Sequence, residues 1–150
     1  MKRGKYILII LLAFMLVFFI NGCKKGGNSL QDGYYTAEMS EYSKGWKEFV
    51  TIRISNGKIV TVEYNARNSS GFIKSWDIAY MRNMDSKKGT YPNHYTRAYA
   101  ASFLAAQSDQ GIDTVSGASV SGGNFQKMTS LLMEKARKGD TSLGIVESEQ

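Results

Sequence analysis

The chain has 150 residues, of which 43% are hydrophobic, with one cysteine and a formal net charge of +6. A single cysteine excludes internal disulfides, so the folded part must be stabilised by a hydrophobic core. Three basic residues lie at the N-terminus, Lys2, Arg3 and Lys5, and without them 16 basic residues face 13 acidic ones, a net charge of +3. That modest charge, with no basic cluster interleaved with aromatic residues, excludes nucleic acid from the expected partners.

The N-terminal residues have the pattern of an export signal. The basic stretch is followed by an unbroken apolar run from Tyr6 to Ile20, shorter than the roughly 20 residues of a membrane-spanning helix. Ile20-Asn21-Gly22-Cys23 then resembles the lipobox of bacterial lipoproteins. The resemblance implies a signal peptide over residues 1–22, a lipid on Cys23, and a domain held at the extracytoplasmic face of the cell membrane. An uncleaved anchor helix with an incidental cysteine is the alternative, and it places the domain on the same side.

Residues 23–31 are predicted to form a flexible tether between the lipid and the domain. They include the polar, glycine-containing stretch KKGGNSLQ, which has no periodicity. Fully extended, that stretch reaches roughly 26 Å from the anchor. Lys24 and Lys25 are expected at the membrane surface, where anionic head groups favour positive charge. Residues 32–146 remain, which is enough sequence for one domain and not for two.

Three segments have the alternation and composition of β-strands, namely Tyr34 to Met39, Trp46 to Ile54 and Lys58 to Ala66. The Asn56-Gly57 pair between the last two usually signals a two-residue hairpin loop. With that register Val50 would lie opposite Glu63, and apolar and charged faces would mix. A loop one residue longer, starting at Ser55, sets Val50 against Val62 and Ile52 against Val60. We therefore predict a bulged three-residue loop with Gly57 in the left-handed conformation.

The second half of the chain is predicted to be helical. One apolar stripe has spacings of four, four and three residues: Tyr95, Tyr99, Phe103 and Ala106. A second stripe follows the same helical period: Phe125, Met128, Leu132 and Ala136. Strands followed by helices, without βαβ alternation, predict an α+β domain in which helices pack on a small antiparallel sheet, preceded by the signal peptide helix.

A shorter helix is predicted around Ser75 to Met84, with Ile78, Met81 and Trp76 facing inward. The polar and aromatic segment that contains its start, Gly71 to Asp77, has two interpretations. In the first, the segment lines a ligand site. In the second, it is only the start of the short helix, with Ser75 as the cap. Pro92 is expected in the loop before the next helix.

The segment from Gly111 to Gly123 lies between the two long helices and is rich in serine and glycine. Glycines let backbone amides approach an anion, and a helix start offers unpaired N–H groups and a positive dipole end. We predict that the helix starts after Ser121, with Ser121 or Asn124 as the N-cap. From these residues alone, a plain connection between helices is the alternative interpretation.

Within this segment, Asp113-Thr114-Val115-Ser116-Gly117-Ala118-Ser119 resembles the flavinylation motif of the FMN-binding domain family. That family includes flavin-bearing subunits of sodium-pumping NADH:quinone reductases and lipoproteins of extracellular electron transfer. The resemblance implies that Ser119 receives FMN covalently, where the commonest acceptor in the family is threonine. It further implies cofactor-binding roles for the surrounding motif residues, with a second hydroxyl nearby: Asp113, Ser116, Gly117, Ala118 and Ser121.

The resemblance also implies a function. An FAD-dependent flavin transferase that uses Mg²⁺ would attach FMN as a phosphodiester, and the protein would then carry electrons from an unidentified membrane reductase to an unidentified acceptor. The protein itself would be the substrate of the transferase and an electron carrier, not an enzyme. Two alternatives stay open. In the first alternative, the flavin is held only by noncovalent contacts. In the second, the protein is a non-redox surface lipoprotein, a ligand-binding or adhesion module that keeps the fold without flavin.

Several other residues have a chemical and a structural interpretation. Five aromatic residues could stack on a flavin ring, and by default they are core or surface residues: Trp46, Trp76, Tyr80, Tyr91 and Tyr95. His94 is the single histidine and has no cluster of acidic or cysteine residues at ligand spacing, so a surface or helix-start position is predicted and no metal site.

Overall fold

The computed structural model describes residues 29–148 of the protein. The predicted signal peptide over residues 1–22, the lipidation site Cys23 and most of the predicted tether lie outside the described residues. The last two tether residues belong to the folded domain, because the Leu30 side chain is buried in the core and the Gln31 amide donates to the Ala136 carbonyl oxygen at 2.9 Å. The folded domain therefore starts earlier than the predicted boundary at residue 32.

Four strands form one sheet, β1 (Gly33–Met39), β2 (Lys47–Ser55), β3 (Lys58–Arg67) and β4 (Gly144–Val146), in the order β3-β2-β1-β4. The first three strands are those predicted, and they pair antiparallel. The short β4 pairs parallel with β1 at the edge of the sheet. The predicted α+β class is confirmed, whereas the expectation of an antiparallel sheet is wrong at β4. A strand of three residues is too short for alternation to reveal it.

The hairpin between β2 and β3 differs from the predicted three-residue loop. Its loop has two residues, Asn56 and Gly57, both with positive φ (53° and 71°), as in the turns that match the twist of paired strands. The register shifts further along, at Val60, which is exposed. Ile52 consequently pairs with Val62. The predicted separation of apolar and charged faces is present, but a bulge in β3 provides it and the loop does not.

The helices are α1 (Ile78–Lys88), α2 (Pro92–Ala106) and α3 (Ser119–Lys138), and a 3-10 turn, Lys74–Trp76, precedes α1. The stripe predicted for α3 is confirmed, because all four of its residues are buried. In α2 the stripe is confirmed for Tyr95, Tyr99 and Phe103, whereas Ala106, the last residue of the helix, is exposed. Pro92 is the first residue of α2 and not part of the preceding loop. At this position its fixed φ suits the helix and its missing N–H leaves no hydrogen bond unmade.

Helix α1 exists, but its predicted inward face is wrong. Ile78 is 60% exposed and Trp76 66% exposed, and α1 buries none of its residues. Its ends are instead stabilised locally. The Asp77 carboxylate accepts a hydrogen bond from the Tyr80 amide at 2.9 Å, and Gly89 ends the helix in the left-handed conformation. The predicted cap, Ser75, is buried before the helix and its Oγ accepts from the Asn65 side chain.

The hydrophobic core lies between one face of the sheet and the two long helices. Helix α2 packs against β3, and α3 packs against β1 and β2. Aromatic rings dominate where the helices meet, with Phe125 of α3 stacked on Tyr99 of α2 at a centroid distance of 5.4 Å. Tyr64 of β3 contacts both rings. This arrangement directs the start of α3 toward the end of the sheet at which β1 ends and β2 begins.

Candidate ligand site at the start of helix α3

A cavity of about 630 Å³ lies between the start of α3, the end of β1, the start of β2 and the inner side of α1. Its volume falls within the roughly 300–1,000 Å³ of small-molecule sites. Its walls combine basic, acidic, hydroxyl and aromatic side chains. The lining residues are Met39, Glu41, Ser43, Lys44, Trp46, Glu48, Lys74, Tyr80, Met84, Lys88, Tyr95, Gly117, Ala118, Ser119, Val120, Ser121, Asn124 and Ser148.

Two buried tyrosine hydroxyls fix the loop that leads into α3. The Tyr99 hydroxyl accepts from the Val115 amide at 2.9 Å and donates to the Ala118 carbonyl oxygen at 3.4 Å. The Tyr64 hydroxyl donates to the Ser121 carbonyl oxygen at 2.8 Å. Burial, with Glu48 nearby, raises the pKa of Tyr64 well above its ordinary value. Its hydroxyl therefore remains a neutral donor at physiological pH, and the loop is held in one position against the sheet.

Close backbone packing explains two of the glycines here. Gly117 has φ +77°, and a Cβ at this residue would lie 2.4 Å from the Lys88 carbonyl oxygen at the end of α1. A Cβ on Gly122 would lie 2.3 Å from the Tyr99 hydroxyl oxygen. Both distances are shorter than any real contact, so the loop and the first turn of α3 can reach these positions only with glycine.

Helix α3 starts at Ser119, three residues before the predicted first helical residue, Gly122. Its N-cap residue is Ala118, which provides no side-chain cap, so the prediction that Ser121 or Asn124 is the N-cap is wrong. Both side chains bond to one carboxylate instead. Ser121 Oγ donates to Glu48 Oε1 at 2.6 Å, and Asn124 Nδ2 donates to Glu48 Oε2 at 2.8 Å. A carboxylate at the first turn also interacts favourably with the positive end of the helix dipole.

Glu48 was not among the residues singled out from the sequence, although its pattern contains a signal. Along β2 the inward positions alternate, and Glu48 shares the buried face with Val50, Ile52 and Ile54. A carboxylate at an inward strand position needs hydrogen-bond partners, because a buried unpaired charge is costly. Ser121 and Asn124 of α3, far away in sequence, provide those partners.

Lys74 is the second residue that sequence reasoning missed. It lies in the 3-10 turn, is only 9% exposed, and its Nζ lies 4.9 Å from the Tyr80 ring centroid. No salt bridge involves Lys74 in the part of the chain that the structure describes. Burial lowers the pKa of this ammonium group, but the neighbouring Tyr95, Tyr80 and Glu48 outweigh it, so the pKa is raised above its ordinary value. Lys74 is therefore a buried positive charge on the cavity wall at neutral pH.

The predicted cofactor-binding residues separate into two groups. Gly117, Ala118, Ser119 and Ser121 line the cavity, and Ser119 is exposed at its edge. Asp113 and Ser116 precede the cavity in the chain, are exposed and are not part of its lining.

The candidate aromatic residues separate in the same way. Trp46, Tyr80 and Tyr95 line the cavity, and the Trp46 and Tyr80 rings meet edge to face with centroids 6.0 Å apart. Trp76 is not part of the lining, and Tyr91 borders a smaller cleft of about 270 Å³ on another side of α1. His94 is exposed in the first turn of α2, with Nδ1 3.0 Å from Thr90 Oγ1. Over residues 29–148, no three His, Cys, Asp or Glu side chains are grouped as metal ligands.

Comparison with known proteins places the chain in a family. No protein-family model matches it. The "15 kDa lipoprotein" of Treponema pallidum (strain Nichols) is 30% identical over 140 residues, which cover 93% of this chain and 94% of that protein. The chain belongs to the family of this lipoprotein. Among solved structures, the CPE2226 protein from Clostridium perfringens is 30% identical, covers 80% of this chain and 99% of its own, and superimposes with a TM-score of 0.76.

The relationship to the 15 kDa lipoprotein covers nearly the whole chain, including the N-terminal region with its lipobox-like sequence. Membership in a lipoprotein family agrees with the interpretation of that region as a lipidation signal. None of the helices within residues 29–148 is long and apolar enough to cross a membrane.

Proposed function

We propose that this protein is a lipid-anchored, extracytoplasmic carrier of FMN, attached covalently to Ser119, that transfers electrons between a membrane reductase and a further acceptor. The observation that carries the proposal is the position of Ser119. It is the first residue of α3, it is exposed, and it lies at the edge of a cavity that also contains three aromatic side chains and a buried ammonium group.

The anchor part of the proposal is supported by two observations. The chain has the lipobox-like sequence that ends at Cys23, and its relative from Treponema pallidum is named a lipoprotein. A lipid on Cys23 would hold the domain at the membrane through the intervening residues, among them Lys24 and Lys25.

The residues present suit each part of FMN. A phosphate esterified to Ser119 would lie at the start of a 20-residue helix, where the first N–H groups lack intrahelical acceptors and the dipole favours an anion. Trp46 and Tyr80, both half-buried at the cavity wall, offer ring faces and edges for an aromatic ring system. The loop that carries the acceptor must enter the transferase, which requires small side chains beside the acceptor. Gly117 and Ala118, directly before Ser119, have such side chains.

When bound, FMN would supply the redox chemistry, while the chain supplies position and electrostatics. Tyr64 and Tyr99 hold the loop so that Ser119 stays at the edge of the cavity. Attachment joins Ser119 Oγ to the FMN phosphate of FAD, releases AMP and frees the hydroxyl proton. A covalent bond is advantageous outside the cytoplasm, because a dissociated cofactor would be lost by diffusion.

The test is production of the protein with an FAD-dependent flavin transferase and Mg²⁺, followed by intact mass measurement and in-gel flavin fluorescence after denaturation. We expect one FMN adduct in the wild type and in Ser119→Thr, and none in Ser119→Ala. Ser121→Ala is the matched control, because it removes a neighbouring hydroxyl that lines the same cavity and leaves Ser119 intact. The same mass spectrum reports whether the chain starts at a lipidated Cys23.

Each other outcome has a definite meaning. An adduct that persists in Ser119→Ala and disappears in Ser121→Ala would move the attachment to Ser121. Colour that is lost on denaturation would show noncovalent flavin. No adduct and no colour with an active transferase would refute the carrier, and the protein would then be a non-redox surface lipoprotein.

A further inference from the structure

The cavity wall contains a positive charge that the protein itself leaves without a salt bridge over residues 29–148. Lys74 is about nine-tenths buried, and it lines the cavity with Tyr80, Tyr95 and Glu48. A buried ammonium group is costly unless it interacts with an acceptor or a negative charge. The ring of Tyr80 at 4.9 Å contributes a cation–π interaction, and with Tyr95 and Glu48 nearby it keeps the Lys74 ammonium group charged.

Two connections hold Lys74 in this position. Residues on either side of it are tied to β3, since Ile73 forms a bridge with Arg67 and Ser75 Oγ accepts from Asn65 Nδ2 at 2.9 Å. Asn65 is itself buried. The ammonium group is therefore directed by a fixed backbone, and does not extend into solvent as surface lysines do.

Two aromatic residues of the cavity, Tyr80 and Tyr95, are direct neighbours of this charge. Lys74 Nζ contacts the Tyr80 ring, and Tyr80 in turn meets Trp46 edge to face. The start of α3, by contrast, has no side-chain cap, and its first backbone N–H groups favour an anion there. The start of α3 would therefore hold a phosphate on Ser119, and Lys74, beside Tyr80 and Tyr95, would be within reach of an aromatic ring system bound in the cavity.

We propose that Lys74 is the residue that stabilises the negative charge of the reduced flavin ring and so raises the reduction potential of the carrier. This inference rests on the proposed function. Reduction adds two electrons and one proton to the oxidised ring, and the product carries one more negative charge than the oxidised ring. The electrons come from the proposed membrane reductase, or from dithionite in the experiment. A fixed cation beside the ring stabilises the reduced form more than the oxidised form, because only the reduced ring is anionic.

The measurement is the midpoint potential of the covalently loaded protein at pH 7, followed by flavin absorbance during a dithionite titration with a reference dye. In Lys74→Met we expect the equilibrium constant for reduction to fall at least tenfold, which is about 30 mV for a two-electron couple. Lys74→Arg keeps the charge, so its equilibrium constant for reduction is expected to lie within threefold of the wild-type value. Lys87→Met is the matched control, because Lys87 is exposed on α1, is not part of the cavity lining and carries the same charge.

The outcomes separate this inference from the function on which it rests. A loaded Lys74→Met protein with the wild-type potential would overturn the role of Lys74 and leave the carrier intact. Equal falls in Lys74→Met and Lys87→Met would show a general charge effect and would also overturn it. A wild type that takes up no flavin refutes the carrier and this inference together. If Lys74→Met does not fold, as judged by its thermal transition, Lys74→Gln replaces it with the same expected shift.

Discussion

Helices α1 and α3 border the same cavity, yet they are held to the protein by different means. Helix α3 buries an apolar stripe that includes Phe125 and Leu132, both without solvent exposure. Helix α1 buries no residue completely, although Met84 packs against the core, and its ends are held by the Asp77 cap and the Gly89 terminus. Helical form alone therefore does not indicate how firmly an element is held, because most helical stability in proteins comes from packing.

The contrast has a consequence for the site. The wall that carries Ser119 belongs to the best-packed helix, whereas Tyr80, Met84 and Lys88 belong to the least-packed one. Elements with few buried apolar contacts open at a small free-energy cost. We therefore expect α1 to move more readily than the start of α3, and on the proposed function this movement would admit the flavin or the transferase.

The largest difference should appear on removing an apolar side chain from each helix. Phe125→Ala is expected to lower the free energy of unfolding by about 3–5 kcal/mol, because a fully buried ring leaves a cavity in the core. Ile78→Ala on α1 should change it by less than about 0.5 kcal/mol, since Ile78 is 60% exposed. Urea unfolding at constant m-value measures both. Similar losses in the two variants would show that α1 is packed as firmly as α3.

An intermediate effect on stability is expected where the loop before α3 meets the end of α1. Gly117→Ala places a Cβ against the Lys88 carbonyl oxygen and forces alanine to φ +77°, so we expect a loss of about 1–3 kcal/mol. Gly123→Ala is the control, because Gly123 is helical and a Cβ there meets no atom within 4 Å. That variant should gain about 0.5–1 kcal/mol through helix propensity. Thermal unfolding of the two proteins gives the comparison, and a stabilised Gly117→Ala would contradict the close approach.

The smallest effect concerns the cap of α1. Asp77→Ala removes the hydrogen bond to the Tyr80 amide and should cost about 1 kcal/mol of local stability. Amide hydrogen exchange in α1 should then accelerate about fivefold, while exchange in α3 stays unchanged. Asp77→Asn keeps a capping oxygen and should restore slow exchange. Equal acceleration in both helices would show that α1 opens only when the whole domain unfolds.

Strands β1, β2 and β3 and the two long helices could be predicted from the sequence, because alternation and helical stripes are local signals of burial. The sequence also located the segment that contains Ser119, since the motif is contiguous. Tertiary structure decided the rest. The parallel pairing of β4, the bulge at Val60 and the exposure of Ile78 depend on neighbours distant in sequence.

The same division applies within the site. Glu48 is 73 residues from Ser121, and only the packing of α3 on β2 brings that carboxylate to the hydroxyl that was expected to cap the helix. Lys74 has no periodic signal, and it becomes a buried charge because its short turn is tied to β3. Local sequence patterns therefore predict which side chains face inward. Which of these side chains contact one another at the site depends on the packing of elements that are distant in sequence.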